Sequence, residues 1–338
     1  GKLKDKCRPY TTIPFHWQAL FSMLSQPFTK ALDLFLERGA NAYGFSWAHG
    51  GAQRLMAKVG ALPPIGGGGR PIFFAYGDDA DIYYRTNEGK LMRCSPDFRQ
   101  MDGSVDLSLV HYVLLYILNE HRRADKRPAE EVDKTHCFWI EVAKVWQEMA
   151  TDPCFVVHGP EVYKKPQRDG LMTGVVGTTL FDTAKSVLAY DAYVEALYDY
   201  GRRELLEEVH AVQFFRTLGL EIKQGTWAWE EVYENPVLGM PVSPNKFLGM
   251  QLIWAPGPNG PVAVPFLPTE DWLKLLMAPR DDPSVRVRVG GGASAVSHTS
   301  VARTHFDRLR GYLVTGAFSN DLVRGLLGAL INTLPAEV

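Results

Sequence analysis

The sequence predicts an α+β chain in which an antiparallel sheet is backed by helices. Short apolar runs, PIFFAY at 71–76, IYYRT at 82–86 and KLMRC at 90–94, are separated by the turn signals GDD and NEGK. That is the pattern of consecutive antiparallel strands. Three longer segments have helical length and period: DLSLVHYVLLYILN (106–119), CFWIEVAKVWQEMA (137–150) and TTLFDTAKSVLAYDAYVEALYDY (178–200). With 338 residues, 46% of them hydrophobic and 12% aromatic, the chain can bury a substantial core and form more than one lobe.

The remaining elements follow in order. Residues 15–24 and 28–39 read as two helical pieces split near Pro27 and stopped at Gly39. IGGGG at 65–69 has no period and reads as a flexible connection, and HRRADKRPAEEVDK at 121–134 as a charged loop. FVVHG at 155–159 is a short strand, and GLMTGVVG at 170–177 a glycine-rich loop ahead of the long helix. RRELLEEVHAVQFFRTLG at 202–219 is one more helix, ended by Gly219. LEIKQ, TWAWEEVY and KFLGMQLIW (246–254) are strand-like. Trp227 and Trp229 alternate as core-facing packing residues. Beyond Trp254 lie three amphipathic helical stretches and GGGASA. No internal repeat is visible.

A net charge of −2 excludes a global basic field, so contact with nucleic acid would rest on local patches. Lys2, Lys4, Lys6 and Arg8 form one, and Arg280, Arg286, Arg288, Arg303, Arg308 and Arg310 a second; such runs read first as solvated faces. Four widely spaced cysteines without a CxxC support neither a zinc ribbon nor a dithiol site and suit a reduced, intracellular protein. His136 beside Cys137 is too sparse for a metal. Without a signal peptide or a long apolar span the chain reads as soluble. It begins at Gly1 inside a basic segment, so an excised piece of a larger protein is expected.

The carboxylates carry the chemistry. Asp78 and Asp79 sit at a glycine turn between two apolar runs, and SPDFRQMDGS places Asp97 at a strand end with Asp102 five residues later. A solvated hairpin tip does not require two core strands, whereas a rigid platform for carboxylates does. Either Asp alone could be a turn or helix-start residue. Together they suit hard divalent cations, which would activate a hydroxyl nucleophile and stabilise a pyrophosphate leaving group. The loop before the long helix supplies Thr173 and Gly174. The helix then displays Thr178 and Asp182 one turn apart on one face.

These blocks resemble the palm motifs of viral RNA-dependent RNA polymerases. DFRQMDGS resembles motif A, TGVVGTTLFD motif B, AYGDD motif C, LGLEIK motif D, FLGMQL motif E and KLKDKCRPYTTIP the basic motif F. The usual order is A, B, C; here it is C, A, B, D, E. That order is similar to the permuted polymerases of permutotetraviruses (the Thosea asigna group) and birnaviruses. GDD favours the first, since the birnavirus motif usually reads Ala-Asp-Asn. Between Asp182 and Gly219 the sequence leaves no room for the hairpin that normally follows motif B, and a hairpin stands at 71–84 instead.

The resemblance implies a right-hand polymerase with an antiparallel palm sheet, partial fingers and a helical thumb. Its parts would be fingers at 1–70, palm at 71–110, a finger insertion at 111–165, palm at 166–254 and thumb at 255–338. It implies template-directed RNA synthesis with two Mg²⁺ or Mn²⁺ ions, held by Asp78, Asp79 and Asp97. RNA template, nascent RNA, nucleoside triphosphates and other viral proteins are the implied partners, without membrane insertion. Host cytoplasm or virion is the implied location. Asp102, Thr173, Gly174, Thr178 and Asp182 would face the nucleotide, with Arg8 and Lys6 on the triphosphate. Lys223 would be the acid for pyrophosphate, or equally a solvated strand lysine. Phe247, Leu248 and Gly249 would touch the primer, or form a core strand with a glycine turn. Asp182 departs from the usual Asn, and a second carboxylate beside Asp102 needs a proton, a water or a cation. Two other readings use the same residues: a template-independent nucleotidyltransferase, and a non-catalytic RNA-binding module on a palm-like fold.

Overall fold

The computed structural model describes residues 13–32, 40–47, 50–151, 156–158, 160–163, 170–277 and 298–334. In chain order its helices are α1 (Phe15–Leu32), α2 (Gly51–Gly60), α3 (Met101–Ser104), α4 (Leu107–Ala124), α5 (Ala129–Thr151), α6 (Thr178–Tyr198), α7 (Glu208–Thr217), α8 (Thr269–Met277), α9 (His298–Thr315) and α10 (Asp321–Asn332). The strands are β1 (Ile72–Tyr76), β2 (Asp79–Arg85), β3 (Leu91–Cys94), β4 (Phe98–Arg99), β5 (Val156–His158), β6 (Glu161–Tyr163), β7 (Glu221–Ile222), β8 (Trp229–Glu231), β9 (Pro241–Phe247), β10 (Met250–Gly257) and β11 (Gly260–Phe266). The chain divides into two compact units, 1–45 with 62–229, and 46–61 with 230–338. The α+β expectation holds.

In the first unit β1, β2 and β3 are successive antiparallel neighbours, with Ile72 opposite Tyr83 and Ile82 opposite Cys94. Their alternation puts Phe73, Ala75, Ala80, Ile82 and Cys94 into one core with Tyr190, Tyr193, Phe215 and Trp227. A second core joins α1, α4, α5 and the start of α6, where Trp146 stacks between Phe21 and Phe181 at centroid distances of 4.1 and 4.9 Å. Burying each phenylalanine there is worth on the order of 1.5–3 kcal/mol. Helix α6 serves both cores. Leu180 and Phe181 enter one, Tyr190, Tyr193, Val194 and Leu197 the other, so the helix is apolar nearly all round. No hairpin follows it before Gly219; a 3₁₀ turn (Arg203–Leu206) and α7 do.

Several expectations change. α1 runs unbroken through Pro27, because packing on α4 and α5 outweighs the one backbone bond that proline removes. IGGGG is not a loose connection. Ile65–Gly67 forms a 3₁₀ turn, the Gly66 N–H donates to Asn87 Oδ1 at 2.7 Å, and the Tyr198 hydroxyl donates to the Gly68 carbonyl at 2.7 Å. The charged loop shrinks to residues 125–128, since His121, Arg122 and Arg123 cap the C-terminal end of α4 where cations are favoured. The 202–219 helix opens as a 3₁₀ turn. KFLGMQLIW is two antiparallel strands turning at Leu248 and Gly249, not one. β6, paired with β5, was not foreseen.

In the second unit β9, β10 and β11 form an antiparallel sheet, so strand continues past Trp254 before the helices begin. The helices α8, α9 and α10 close over Trp272, Leu309, Val323 and Leu327. Gln53 on α2 donates to the Ala263 carbonyl at 2.8 Å and ties that helix to β11.

Candidate active site

The β1–β2 hairpin closes with Tyr76 opposite Asp79, leaving Gly77 and Asp78 as a two-residue turn. Gly77 takes φ 59, the left-handed value the first position of such a turn demands. Two hydroxyls from α6 fix it. Thr183 Oγ1 accepts from the Gly77 N–H at 2.8 Å, and Ser186 Oγ donates to the Gly77 carbonyl at 2.5 Å. The turn is therefore held by the helix as well as by its own strands.

Asp97 arrives beside this turn because β3 runs antiparallel to β2, and residues 79 and 97 form a backbone bridge. Asp97 is anchored at both backbone groups: its N–H donates to Thr226 Oγ1 at 3.2 Å, and its carbonyl accepts from the Lys223 N–H at 2.8 Å. Lys223 also forms an ion pair with Asp97 Oδ2, while Asp97 Oδ1 is buried without a hydrogen-bond partner. Asp79 keeps an exposed face, yet burial of its surroundings, then Asp78, Asp97 and Asp81, push its pKa up to about 6. So much negative charge with one orphaned oxygen fits a hard divalent cation. Among the described residues no three such side chains already stand at ligand spacing. Magnesium does not need that, since it binds through one or two carboxylates and completes its shell with water and phosphate oxygens.

Asp102, on α3, forms a second acidic site with Thr173 and Asp182. The Thr173 hydroxyl donates to Asp102 Oδ2, and the Asp182 carboxyl hydrogen-bonds to the same carboxylate. Asp182 is 5% exposed, and burial, the bond to Asp102 and the charges of Asp102 and Asp78 push its pKa up to about 9. Asp182 is thus a neutral acid at pH 7, a donor where the sequence pattern led one to expect an amide. The sequence asked for a proton, a water or a cation beside these two carboxylates, and Asp182 is the one whose pKa is raised. Its Oδ1 has no partner. Thr178 is buried and donates to the Val175 carbonyl at 2.7 Å, tethering the loop that carries Thr173 and the exposed Gly174.

In the second unit, Phe247 is 2% exposed with its ring edge-on to Trp47, which leaves Leu248 and Gly249 as the more open part of that turn. Arg8 and Lys6 lie outside the described residues, as do Arg280, Arg286 and Arg288. Arg303 lies along α9 near Asp307. Trp227 and Trp229 both donate their indole N–H to the Leu206 carbonyl, as packing residues do. Sequence reasoning missed Asp81, Arg93, Ser95, Thr183, Ser186 and Thr226. Asp81 alone left a trace: a charged residue on an apolar strand two positions after Asp79.

Comparison with known proteins bears on the chain as a whole. Residues 1–251 match the family model of the permutotetravirus RNA-dependent RNA polymerase palm domain, and residues 271–338 that of the corresponding thumb domain. No curated protein matches the sequence. Among solved structures, the chain is similar to the birnavirus VP1–VP3 complex and to the RNA polymerase VP1 of infectious pancreatic necrosis virus. Each superposes with a TM-score of 0.66 at 16% identity. The match takes in 96% of this chain but 42% and 41% of those chains, so this chain spans less than half their length. At that identity the likeness is one of fold.

Proposed function

The chain belongs to the permutotetravirus RNA-dependent RNA polymerases, and from that premise we propose that it carries the catalytic centre for template-directed RNA synthesis. A 3′-hydroxyl of RNA attacks the α-phosphorus of a nucleoside triphosphate, and pyrophosphate leaves. The supporting observation is the hairpin carrying Asp78 and Asp79, bridged to Asp97 although it precedes Asp97 in the chain.

On this reading Asp97 and Asp78, with Asp79 near the second ion, would hold two Mg²⁺ or Mn²⁺ ions. When bound, the ions lower the pKa of the attacking hydroxyl and neutralise charge on the leaving group. Lys223 Nζ exchanges Asp97 for the leaving pyrophosphate and gives it a proton. Asp102 receives hydrogen bonds from Thr173 and Asp182. Its remaining lone pairs accept from the ribose hydroxyl, which a deoxy sugar cannot supply. Thr178 and Gly174 shape the loop that carries Thr173. Arg8 and Lys6 meet the triphosphate, and Leu248 and Gly249, above the buried Phe247, meet the primer strand. Fingers, palm and thumb follow the boundaries read from the sequence. Other viral proteins are partners, and the working location is the host cytoplasm or the virion.

Primer extension on an RNA template with Mg²⁺ or Mn²⁺ tests this. Asp97→Ala and Asp78→Ala should each lower extension at least about 100-fold, the loss expected when several kcal/mol of charge stabilisation go. Equal activity in wild type and Asp97→Ala would sink the polymerase reading. Incorporation that ignores the template would point to a template-independent transferase.

A further inference from the structure

Behind the acidic turn lies a buried charged cluster that the polymerase reading does not use. Asp81 is 0% exposed and Arg93 2% exposed, both in the β2–β3 layer. Arg93 Nη2 lies 2.8 Å from Asp81 Oδ2, and the Tyr83 hydroxyl donates to that same oxygen at 2.9 Å. Ser95 Oγ donates to Asp81 Oδ1 at 2.5 Å. Burying an ion pair is at best weakly stabilising, and similar packing could be had from apolar residues. Stability alone therefore does not account for a buried pair two positions from Asp79.

The register indicates what. Asp81 follows Asp79 by two residues on β2, so both project from one face of the sheet. Ser95 precedes Asp97 by two residues. The Asp81–Ser95 bond therefore lies one step further from the turn than the backbone bridge between residues 79 and 97. It ties the strand bearing Asp79 to the segment bearing Asp97, while Arg93 Nη2, 2.8 Å from Asp81 Oδ2, holds that carboxylate in place. Tyr83 donates to the same carboxylate from within β2; its ring lies 5.9 Å from the Arg93 guanidinium, a contact that phenylalanine would keep, and its hydroxyl makes no bond to Ser95 or Asp97.

We infer that Asp81, oriented by Arg93 and linked to Ser95, is a positioning device that sets the separation of Asp79 and Asp97 for divalent cations. This rests on the metal-binding reading of those carboxylates. Partners that orient metal ligands from behind commonly change metal affinity by 10–100-fold.

Direct Mn²⁺ binding, by the loss of the free-ion paramagnetic resonance signal on titration, tests it without needing turnover. Ser95→Ala should weaken Mn²⁺ binding about tenfold, and Ser95→Thr should restore it. Tyr83→Phe takes a hydrogen bond from the same carboxylate within β2. It should lower the melting temperature about as much as Ser95→Ala and leave Mn²⁺ affinity unchanged. If Ser95→Ala binds as tightly as wild type, or Tyr83→Phe weakens binding equally, the network is merely structural and the inference is overturned. Wild-type binding that is insensitive to Asp97→Asn would instead overturn the metal reading beneath it.

Discussion

Asp182 is where a single residue sets the charge of the second acidic site. In the folded chain its pKa is raised from 3.8 to about 9, by burial first and by Asp102 next. Between those values the folded state holds a proton that the unfolded chain has released. The stabilisation tied to this proton is complete below pH 3.8 and fades as pH rises towards 9. An asparagine would donate to Asp102 at every pH. Asp182→Asn should therefore raise the melting temperature at pH 8 by about 2–4 °C for each roughly 1 kcal/mol recovered, with the gain shrinking as pH falls towards 4. A gain independent of pH, or a loss at pH 8, would show that Asp182 is not the proton carrier. That two carboxylates here need a proton, a water or a cation was legible in the sequence, from Asp102 and Asp182 in neighbouring motifs; which of the three was not. The Asp81–Ser95 bond was not, because nothing in local sequence says which hydroxyl will face a buried carboxylate across a strand pair.

At the scale of elements, α6 is the organising piece. The strands around the turn were readable from apolar runs and from Gly77, and α6 from its length and its closing Gly201. What could not be read was the contact between them, since Thr183 and Gly77 lie 106 residues apart in sequence. Thr183→Val keeps the volume of the side chain and removes the acceptor for the Gly77 N–H. It should cost about 1–3 kcal/mol in urea unfolding, the penalty for a buried donor left unpaired. The exposed Thr179→Val, on the same helix, should stay within about 0.5 kcal/mol. Similar costs for the two would mean that the turn does not depend on α6. Pro27 teaches the complementary lesson. Read locally it splits a helix, yet α1 is held by Phe21 and Leu24 in a core most of whose buried members, from Val105 to Phe181, are distant in sequence.

On the scale of the whole chain, the permuted motif order has a geometric basis. The hairpin begins beside the end of α6: Arg70 Nη2 is 3.4 Å from Asp199 Oδ2, and the Tyr198 hydroxyl donates to the Gly68 carbonyl. Because Ile72 lies opposite Tyr83, the far end of β2 returns to the same region. Where the hairpin leaves the chain, Pro64 bridges Arg85 and Gly66 bonds to Asn87, so the break could be closed by a short connection. In this chain, then, moving the hairpin would change a few short links and leave the arrangement of strands as it is, as expected where connections are short and join neighbours. The sequence showed the displacement, as a hairpin gained before Asp97 and missing after Asp182, but only the structure shows the two sites touching. A chain with residues 70–85 moved between Asp199 and Arg202, through short glycine linkers, should still unfold cooperatively and bind Mn²⁺ in an Asp97-dependent way. The same linkers inserted in the native order serve as the control. If the control folds and binds while the rearranged chain does neither, adjacency in space is not enough, and the permuted order is itself needed to assemble the carboxylates.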